Sequence, residues 1–364
     1  MSFSRLLFLC LFMLVAPSLH AQTPALQHHS WDVYLQRGIT PSGADRLTFI
    51  DILTGATVTT EINGERYTLF GKGVLYFDYL NERVMTVGTD GVPRTHPFIQ
   101  MAQGARRVDW VVSRDGRMIA WTTTYGDANA LTTITTIANA DGANRREILR
   151  DGARDGIRAL PVAFSVEGDA LFMDAHPDGL GRFVAYPQYA GLFRVDFETS
   201  QITSLPDEPS CFCGAGFRAG QFLRLSLSST LNGFDLRVYN LDNGQSSVIP
   251  ALSLAGYTQA GDILIAPDGA KAVYALSQVS GFGTPNQTVR TVFVLADLHA
   301  YTQTPLTDPI TTYVQPSRWT EDNAAILFTS PQVNGTWKIT LGDGVLKKVA
   351  EAALLGRLDD APAR

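Results

Sequence analysis

The stretch Ser113-Arg114-Asp115-Gly116-Arg117-Met118-Ile119-Ala120-Trp121 contains a polar turn that follows the apolar run Trp110-Val111-Val112 and precedes a second one. Asp-Gly between two short apolar runs is a strong β-hairpin signal, because glycine adopts the positive φ of a tight turn at little cost. The runs are too short, and too rich in β-branched and aromatic residues, to indicate helices. The stretch therefore predicts a β-hairpin.

Weaker copies of this turn recur along the chain. They are Phe70-Gly71-Lys72-Gly73, Ser165-Val166-Glu167-Gly168, Phe217-Arg218-Ala219-Gly220, Ala266-Pro267-Asp268-Gly269 and Thr320-Glu321-Asp322-Asn323. The last turn residue advances by 43, 52, 52, 49 and 54 positions from Gly73 to Asn323, and repeats of about 40 to 50 residues are typical of propellers and arrays. We predict an all-β protein, a β-propeller of four-stranded antiparallel blades. Seven blades are favoured if the amino-terminal strands form their own unit, and six is the alternative.

The hairpins at Ser113 to Gly116 and Ala266 to Gly269 resemble the WD-like repeat of TolB-type propeller proteins. The resemblance covers roughly Trp31 to Val349 and is sharp in two or three repeats. It implies a propeller of four-stranded blades. For function it implies only that the protein binds a partner, often another protein.

The first 21 residues have the pattern of a secretory signal peptide. Arg5 supplies the positive charge, Leu6 to Ala16 the apolar run, and Leu19-His20-Ala21 a small-residue cleavage site. This pattern predicts an extracytoplasmic protein, secreted or periplasmic, as in bacteria. An uncleaved anchor is the alternative.

The remaining chain divides into three parts by composition. Residues 22–30 indicate a flexible leader, residues 31–349 the propeller domain, and residues 350–364 a carboxy-terminal tail that frays or forms a short helical turn. The strands that follow Trp31 resemble the outer part of a blade whose innermost strand is missing or weak.

Charge and motifs limit the function classes. The net charge is −6, and it becomes −7 once the signal peptide is removed with Arg5. Basic residues are not clustered in the sequence, so we expect no nucleic-acid or anionic-lipid partner. Catalytic motifs such as Gly-x-Ser-x-Gly or His-Glu-x-x-His are absent from the sequence. We assign no catalytic residue, metal ligand or cofactor, and we expect a monomer.

The candidate binding site lies where the chain exceeds its repeat. In a propeller the Asp-Gly hairpins lie on one face, the bottom, and the loops between second and third strands lie on the top. Two such loops are long, His176 to Tyr189 and Val279 to Gln287, and long loops on a rigid scaffold often carry function. The candidate binding residues are His176, Arg182, Phe183, Tyr186, Tyr189 and Phe282. The alternative is that these rings pack together to hold the loops down.

Cys211-Phe212-Cys213 contains the only cysteines that remain after signal removal. In an oxidising compartment a disulfide between Cys211 and Cys213 is the default expectation. Bridging residues two apart requires a strained ring, so a labile bond, free redox-active thiols or two soft metal ligands are alternatives.

Three function hypotheses follow. The first is an exported, non-enzymatic propeller that binds a protein or a cell-envelope polymer through its top-face loops. The second is a propeller hydrolase or lyase with a metal or carboxylate site at the channel mouth. The third is a redox sensor at Cys211 and Cys213.

Overall fold

Short apolar runs separated by polar turns form strands throughout the chain. The computed structural model describes residues 29–38, 43–179, 186–206, 214–218 and 220–359. In these residues it contains seven four-stranded antiparallel blades and no helix. No helix of this part of the chain is long and apolar enough to cross a membrane. The predicted β-propeller is confirmed, with seven blades rather than six.

The strands of each blade follow one another from the innermost, at the central channel, to the outermost. Blade 1 contains β28 (Ala353–Asp359), β1 (Ser30–Gln36), β2 (Asp45–Asp51) and β3 (Thr57–Ile62). Blade 2 contains β4 (Glu65–Phe70), β5 (Gly73–Asp78), β6 (Arg83–Gly88) and β7 (Pro93–Thr95). Blade 3 contains β8 (Ala105–Val112), β9 (Met118–Tyr125), β10 (Leu131–Asn139) and β11 (Arg146–Arg154). Blade 4 contains β12 (Ile157–Phe164), β13 (Ala170–Pro177), β14 (Leu192–Asp196) and β15 (Ile202–Ser204).

The last three blades follow the same order. Blade 5 contains β16 (Ala215–Arg218), β17 (Gln221–Leu227), β18 (Phe234–Asn240) and β19 (Ser246–Ile249). Blade 6 contains β20 (Gln259–Ile265), β21 (Lys271–Ser280), β22 (Thr288–Asp297) and β23 (Thr302–Pro305). Blade 7 contains β24 (Gln315–Trp319), β25 (Ala325–Thr329), β26 (Thr336–Thr340) and β27 (Leu346–Ala350).

The repeated turn connects the first two strands of blades 2 to 7, on the bottom face. In blade 3 the Asp115 carboxylate accepts hydrogen bonds from the Ser113 hydroxyl (2.7 Å) and the Arg117 backbone N–H (3.1 Å). Gly116 has a φ of 70°, the left-handed conformation that the turn requires. The side chain of Asp115 therefore satisfies turn groups, and the repeat has a structural role.

The carboxy-terminal strand closes the ring. β28 pairs with β1, with Trp31 opposite Leu358, and so supplies the innermost strand that the amino-terminal blade lacks. Leu358 is buried in the core between blades 1 and 2. The propeller thus extends to Asp359, beyond the expected boundary at Val349. Residues 1–28 and 360–364, which include the predicted signal peptide, lie outside the described residues.

The channel wall is irregular in most blades. Bulges or irregularities interrupt the pairing of the innermost strand in blades 1, 2, 3, 4, 6 and 7. A bulge redirects side chains and bends its strand. Arg66 in β4 and Asp262 in β20 lie at such bulges with φ of 58° and 55°, a conformation that non-glycine residues seldom adopt. These positions carry charged side chains at the channel.

Candidate functional site

A cavity of about 470 Å³ opens at the top of the channel between blades 3 and 4. We call it the arginine pocket. Arg106 and Arg107 reach it from the start of β8, Arg158 from the start of β12, and His176 and Asp178 from the end of β13. Leu160 and Gly179 complete its wall. Three guanidinium groups therefore face one cavity with one carboxylate.

Arg158 is the buried member of the arginine pocket, with 5% of its surface exposed. Its guanidinium lies 3.3 Å from an Asp109 carboxylate oxygen and 3.3 Å from one of Asp178. Arg106 lies on the outer side of the same Asp178, at 3.6 Å. Burial lowers the pKa of Arg158, but a guanidinium remains charged at any physiological pH. A buried cation is thus retained because two carboxylates hold it.

Asp109 connects the arginine pocket to blade 2. Its carboxylate pairs with Arg107 (2.7 Å) and Arg66 (3.2 Å) as well as with Arg158. The Arg66 guanidinium also lies 4.6 Å from the Trp110 ring centre. One carboxylate therefore fixes cations from three blades, and it sets the spacing of the guanidinium groups.

A histidine with an ordered partner borders the arginine pocket. His176 Nδ1 lies 2.9 Å from Asp174 Oδ2. Asp174 is 1% exposed, and its other oxygen accepts hydrogen bonds from the backbone N–H groups of Ala190 (3.0 Å) and Gly191 (2.8 Å). In the tautomer in which Nδ1 carries the proton, the ring donates to Asp174 and Nε2 remains available to the cavity.

The described end of the long blade-4 loop crosses towards blade 6. The Tyr186 hydroxyl lies 2.5 Å from Ser277 Oγ, and the Gln188 amide donates to the Ala260 carbonyl (3.1 Å). A Cβ at Gly261 would lie 2.4 Å from the Tyr186 Cβ, so only glycine allows this approach. With Tyr189 and Pro187, this segment forms one wall of a second cavity of about 490 Å³, which shares Leu160 and His176 with the arginine pocket.

The structure separates the predicted binding residues. His176 lines the arginine pocket, whereas Tyr186 is 2% exposed and packs in the core of blades 6 and 7. Tyr189 packs against the core between blades 4 and 5 and lines the second cavity. Phe282 is 49% exposed on the blade-6 loop. Tyr186 is thus buried in one core, and Tyr189 is partly buried against another.

Four other predicted residues lie outside the described residues. They are Arg182, Phe183, Cys211 and Cys213. Binding through the first two and a disulfide between the last two stay predictions.

The arginine pocket was not anticipated from the sequence, although Arg106-Arg107 at the start of an innermost strand is a local signal. Arg106 and Arg107 precede Arg158 by about fifty residues, so only the ring of blades brings the three arginines together. In the part of the chain that the structure describes, no three His, Cys, Asp or Glu side chains are placed to hold a metal ion.

No protein-family model and no curated protein matches this chain. Its fold is similar to that of solved structures. An oligogalacturonate lyase in complex with manganese is 14% identical over 89% of this chain and 86% of that chain, with a TM-score of 0.53. One structure from a study of two prolyl endopeptidases is 10% identical over 89% of this chain but only 50% of that chain, with a TM-score of 0.58.

TolB from Acinetobacter baumannii is also among the similar structures, 14% identical over 78% of this chain and 64% of that chain, with a TM-score of 0.43. At these identities the similarities concern the fold alone. The propeller of four-stranded blades that the TolB-type resemblance implies is present in the structure.

Proposed function

We propose that this protein is an exported binding protein whose top face, at the arginine pocket, holds a ligand that carries carboxylate groups. The observation that carries the proposal is the convergence of Arg106, Arg107 and Arg158 on one cavity. Guanidinium groups bind carboxylates in paired, charge-assisted hydrogen bonds, which give both affinity and orientation. Such groups are supplied by an acidic envelope polymer or by an acidic protein surface.

The pocket has features of a binding site rather than of a solvated surface. Arg158 is held by Asp109 and by Asp178 of the pocket wall, so its position is set before a ligand arrives. Arg106 and Arg107 are 44% and 48% exposed at their side chains and reach solvent at the rim. The adjoining cavity, with Tyr189 and Pro187, offers apolar surface beside the charges. This arrangement suits a ligand that alternates charged and apolar surface.

Export rests on the amino-terminal sequence alone. We expect the mature chain to begin near Gln22, and fractionation of cells that express the full chain with a carboxy-terminal tag measures this. Recovery of the uncleaved chain in the cytoplasm would refute export without affecting the binding proposal.

The binding test compares two double variants of one blade. Titration calorimetry with oligogalacturonate, with a neutral glucan oligomer and with a poly-glutamate peptide separates polymer from peptide ligands. R106A/R107A is expected to weaken binding of the acidic ligand by about 10- to 100-fold, as expected for the loss of charge-assisted hydrogen bonds. R114A/R117A removes two arginines from the bottom turn of the same blade and is expected to leave binding unchanged. Equal binding by both variants, or equal binding of the neutral glucan, refutes the proposal.

A second candidate function is a lyase or hydrolase, favoured by the Asp174–His176 pair beside the same guanidinium groups. In a lyase acting on a uronate, His176 Nε2 takes the proton from the carbon next to the carboxylate. The glycosidic oxygen leaves and takes a proton from solvent, and a carbon–carbon double bond forms. The arginines neutralise the carboxylate and so acidify that proton. Ultraviolet absorbance of the unsaturated product measures turnover. His176→Ala then abolishes turnover and retains binding, whereas no product from the wild-type protein leaves binding as the function.

A further inference from the structure

A second charged group lies on the innermost strand of blade 6. Asp262 lies in β20, next to a cavity of about 230 Å³ lined by Pro187, Tyr189, Ala215, Ile263, Leu264 and Pro316. We call this the Asp262 cavity. It is separate from the arginine pocket in its lining residues.

The Asp262 carboxylate lacks the partners that hold the other channel charges. Gln315 of β24 forms a side-chain hydrogen bond with it. The Oδ2 atom is shielded from solvent and has no hydrogen-bond partner within the described part of the chain. Nearly all buried polar atoms are hydrogen-bonded, and leaving one unpaired costs about 1 to 3 kcal/mol. An exception of this kind in a cavity calls for a ligand.

The backbone at Asp262 is strained in a way that directs its side chain. Its φ of 55° is left-handed, and the residue lies in the bulge between Gly261 and Leu264. Such a conformation costs about 1 to 3 kcal/mol and persists where the surrounding structure imposes it, most often at functional sites. Strain and an unsatisfied atom thus coincide on one residue at one cavity.

The chemistry of the cavity selects the class of ligand. Asp262 is the one charged residue among the seven that line it, the exposed lining is mostly polar, and Tyr189 contributes an aromatic ring. A carboxylate beside an aromatic ring favours an organic cation, which gains an ion pair and contact with the ring. A metal ion needs more oxygen or nitrogen ligands than one carboxylate and one amide supply.

We propose that the Asp262 cavity binds a small organic cation, a primary ammonium or a guanidinium group, which pairs with the Asp262 carboxylate. The group is either a free amine or a lysine or arginine side chain of a bound partner. This site is independent of the arginine pocket and does not require the function proposed for it.

The proposal predicts a dependence on pH with a definite sign. Burial raises the pKa of Asp262 to about 7, and the hydrogen bond from Gln315 offsets part of that rise. Only the ionised carboxylate pairs with a cation, so affinity falls by about tenfold per pH unit below the pKa and is constant above it. Tyr186 and Tyr189 face Asp262 from the blade-4 loop. Burial raises the pKa of both hydroxyls, so both stay neutral over the pH range in which Asp262 titrates. Arg224 of β17 lies behind Tyr189 and donates to its carbonyl.

The test uses n-butylammonium as the probe and 1-butanol as its uncharged analogue, with the affinity measured by NMR titration of the full-length mature protein between pH 5 and 9. We expect n-butylammonium to bind and 1-butanol to bind at least about tenfold more weakly, because a hydrogen bond to a charged group contributes about 1.5 to 3 kcal/mol. Asp262→Asn keeps the shape, and asparagine tolerates the left-handed conformation. It is expected to lose this binding and its pH dependence together.

Asp268→Asn is the matched control, since Asp268 lies in the bottom turn of the same blade and supports that turn by accepting from the Ala270 N–H (2.9 Å). We expect it to bind n-butylammonium like the wild type. Thermal melts and a native ¹H–¹⁵N spectrum establish that both variants are folded. Asp262→Asn binding as tightly as the wild type, or an affinity that does not fall below pH 7, overturns the proposal.

Discussion

Blades 2 and 6 contain the same unusual feature with opposite surroundings. Each has a charged residue in left-handed conformation at a bulge of its innermost strand, Arg66 with a φ of 58° and Asp262 with a φ of 55°. Arg66 pairs with Asp109 and lies over the Trp110 ring, although its Nε, like Asp262 Oδ2, has no hydrogen-bond partner within the described residues. Asp262 has one amide partner and an unsatisfied oxygen.

This difference in charge pairing distinguishes a charged residue with a structural role from one at a candidate binding site. The blade-2 bulge directs a cation into a network that compensates it, so its strain is balanced by contacts within the protein. The blade-6 bulge directs an anion into a cavity where the described residues do not compensate it. A left-handed residue at a bulge of the innermost strand therefore has a different role in each of the two blades. The partners of its charged side chain distinguish the two roles.

The largest expected effect is at Asp109, whose carboxylate pairs with Arg66 of blade 2. Asp109→Asn removes the charge that faces Arg66, Arg107 and Arg158 and leaves the buried Arg158 with Asp178 as its acidic partner. We expect the free energy of unfolding to fall by about 3 kcal/mol, in the range measured when one partner of a buried pair is removed. Urea denaturation at pH 7 measures it. A loss below about 1 kcal/mol, the size of an exposed ion pair, would show that the guanidinium groups do not depend on this carboxylate.

The same substitution at Asp262 is expected to have the opposite sign. The pKa of Asp262 is about 7 in the folded protein against an ordinary value of 3.8. Between about pH 4 and pH 7 the unfolded chain has released this proton, whereas the folded protein still holds it. The contribution of Asp262 to stability therefore falls as the pH rises from 4 to 7 and is constant above pH 7.

Asp262→Asn removes this loss. At pH 8 we expect the variant to be more stable than the wild type by about 2 kcal/mol, because a neutral amide replaces an ionised carboxylate that has no charged partner. At pH 4 the two proteins should be similar. Urea denaturation at both pH values measures the difference. A variant less stable than the wild type at pH 8 would show that the charge of Asp262 is compensated within the protein, as the charge of Arg66 is.

A smaller effect is expected at Tyr186, which holds the wall above the Asp262 cavity. Tyr186→Phe keeps the ring in the core and removes the hydroxyl contact with Ser277, whose Oγ also lies 2.6 Å from Thr291 Oγ1. The expected loss is about 1 kcal/mol, typical of one neutral hydrogen bond. Thermal melting measures it. A loss as large as that expected for Asp109→Asn would contradict this expectation, because it would exceed the contribution of one neutral hydrogen bond.

The sequence predicts the blades well because the hairpin signal is local. Asp115 and Gly116 lie within one turn of the groups that they contact, and the alternation around them continues along each strand. The channel residues have no such signal. Arg66, Asp109 and Arg158 are 43 and 49 residues apart, and their distances in space depend on the closure of the ring.

The predicted binding residues show that the sequence also does not reveal which side chains of a loop are buried. The sequence places His176 and Tyr186 in one long loop, whose aromatic and basic residues indicate a binding surface; in the structure His176 belongs to β13. The structure buries Tyr186 in blades 6 and 7 and leaves His176 at the arginine pocket. Loop composition does not determine which side chain faces solvent, because the contacting residues, such as Ser277 and Gly261, are far away in the chain.

The sequence by itself determined the strand character, the turn period and the all-β propeller, since these depend on φ preferences and on alternation within a few residues. Tertiary structure alone decided three further features. β28 completes the first blade, guanidinium groups from three blades meet at one carboxylate, and Asp262 is left facing a cavity. Each depends on which blades become neighbours when the ring closes. That long-range pairing creates or removes the partners that determine the role of a charged side chain.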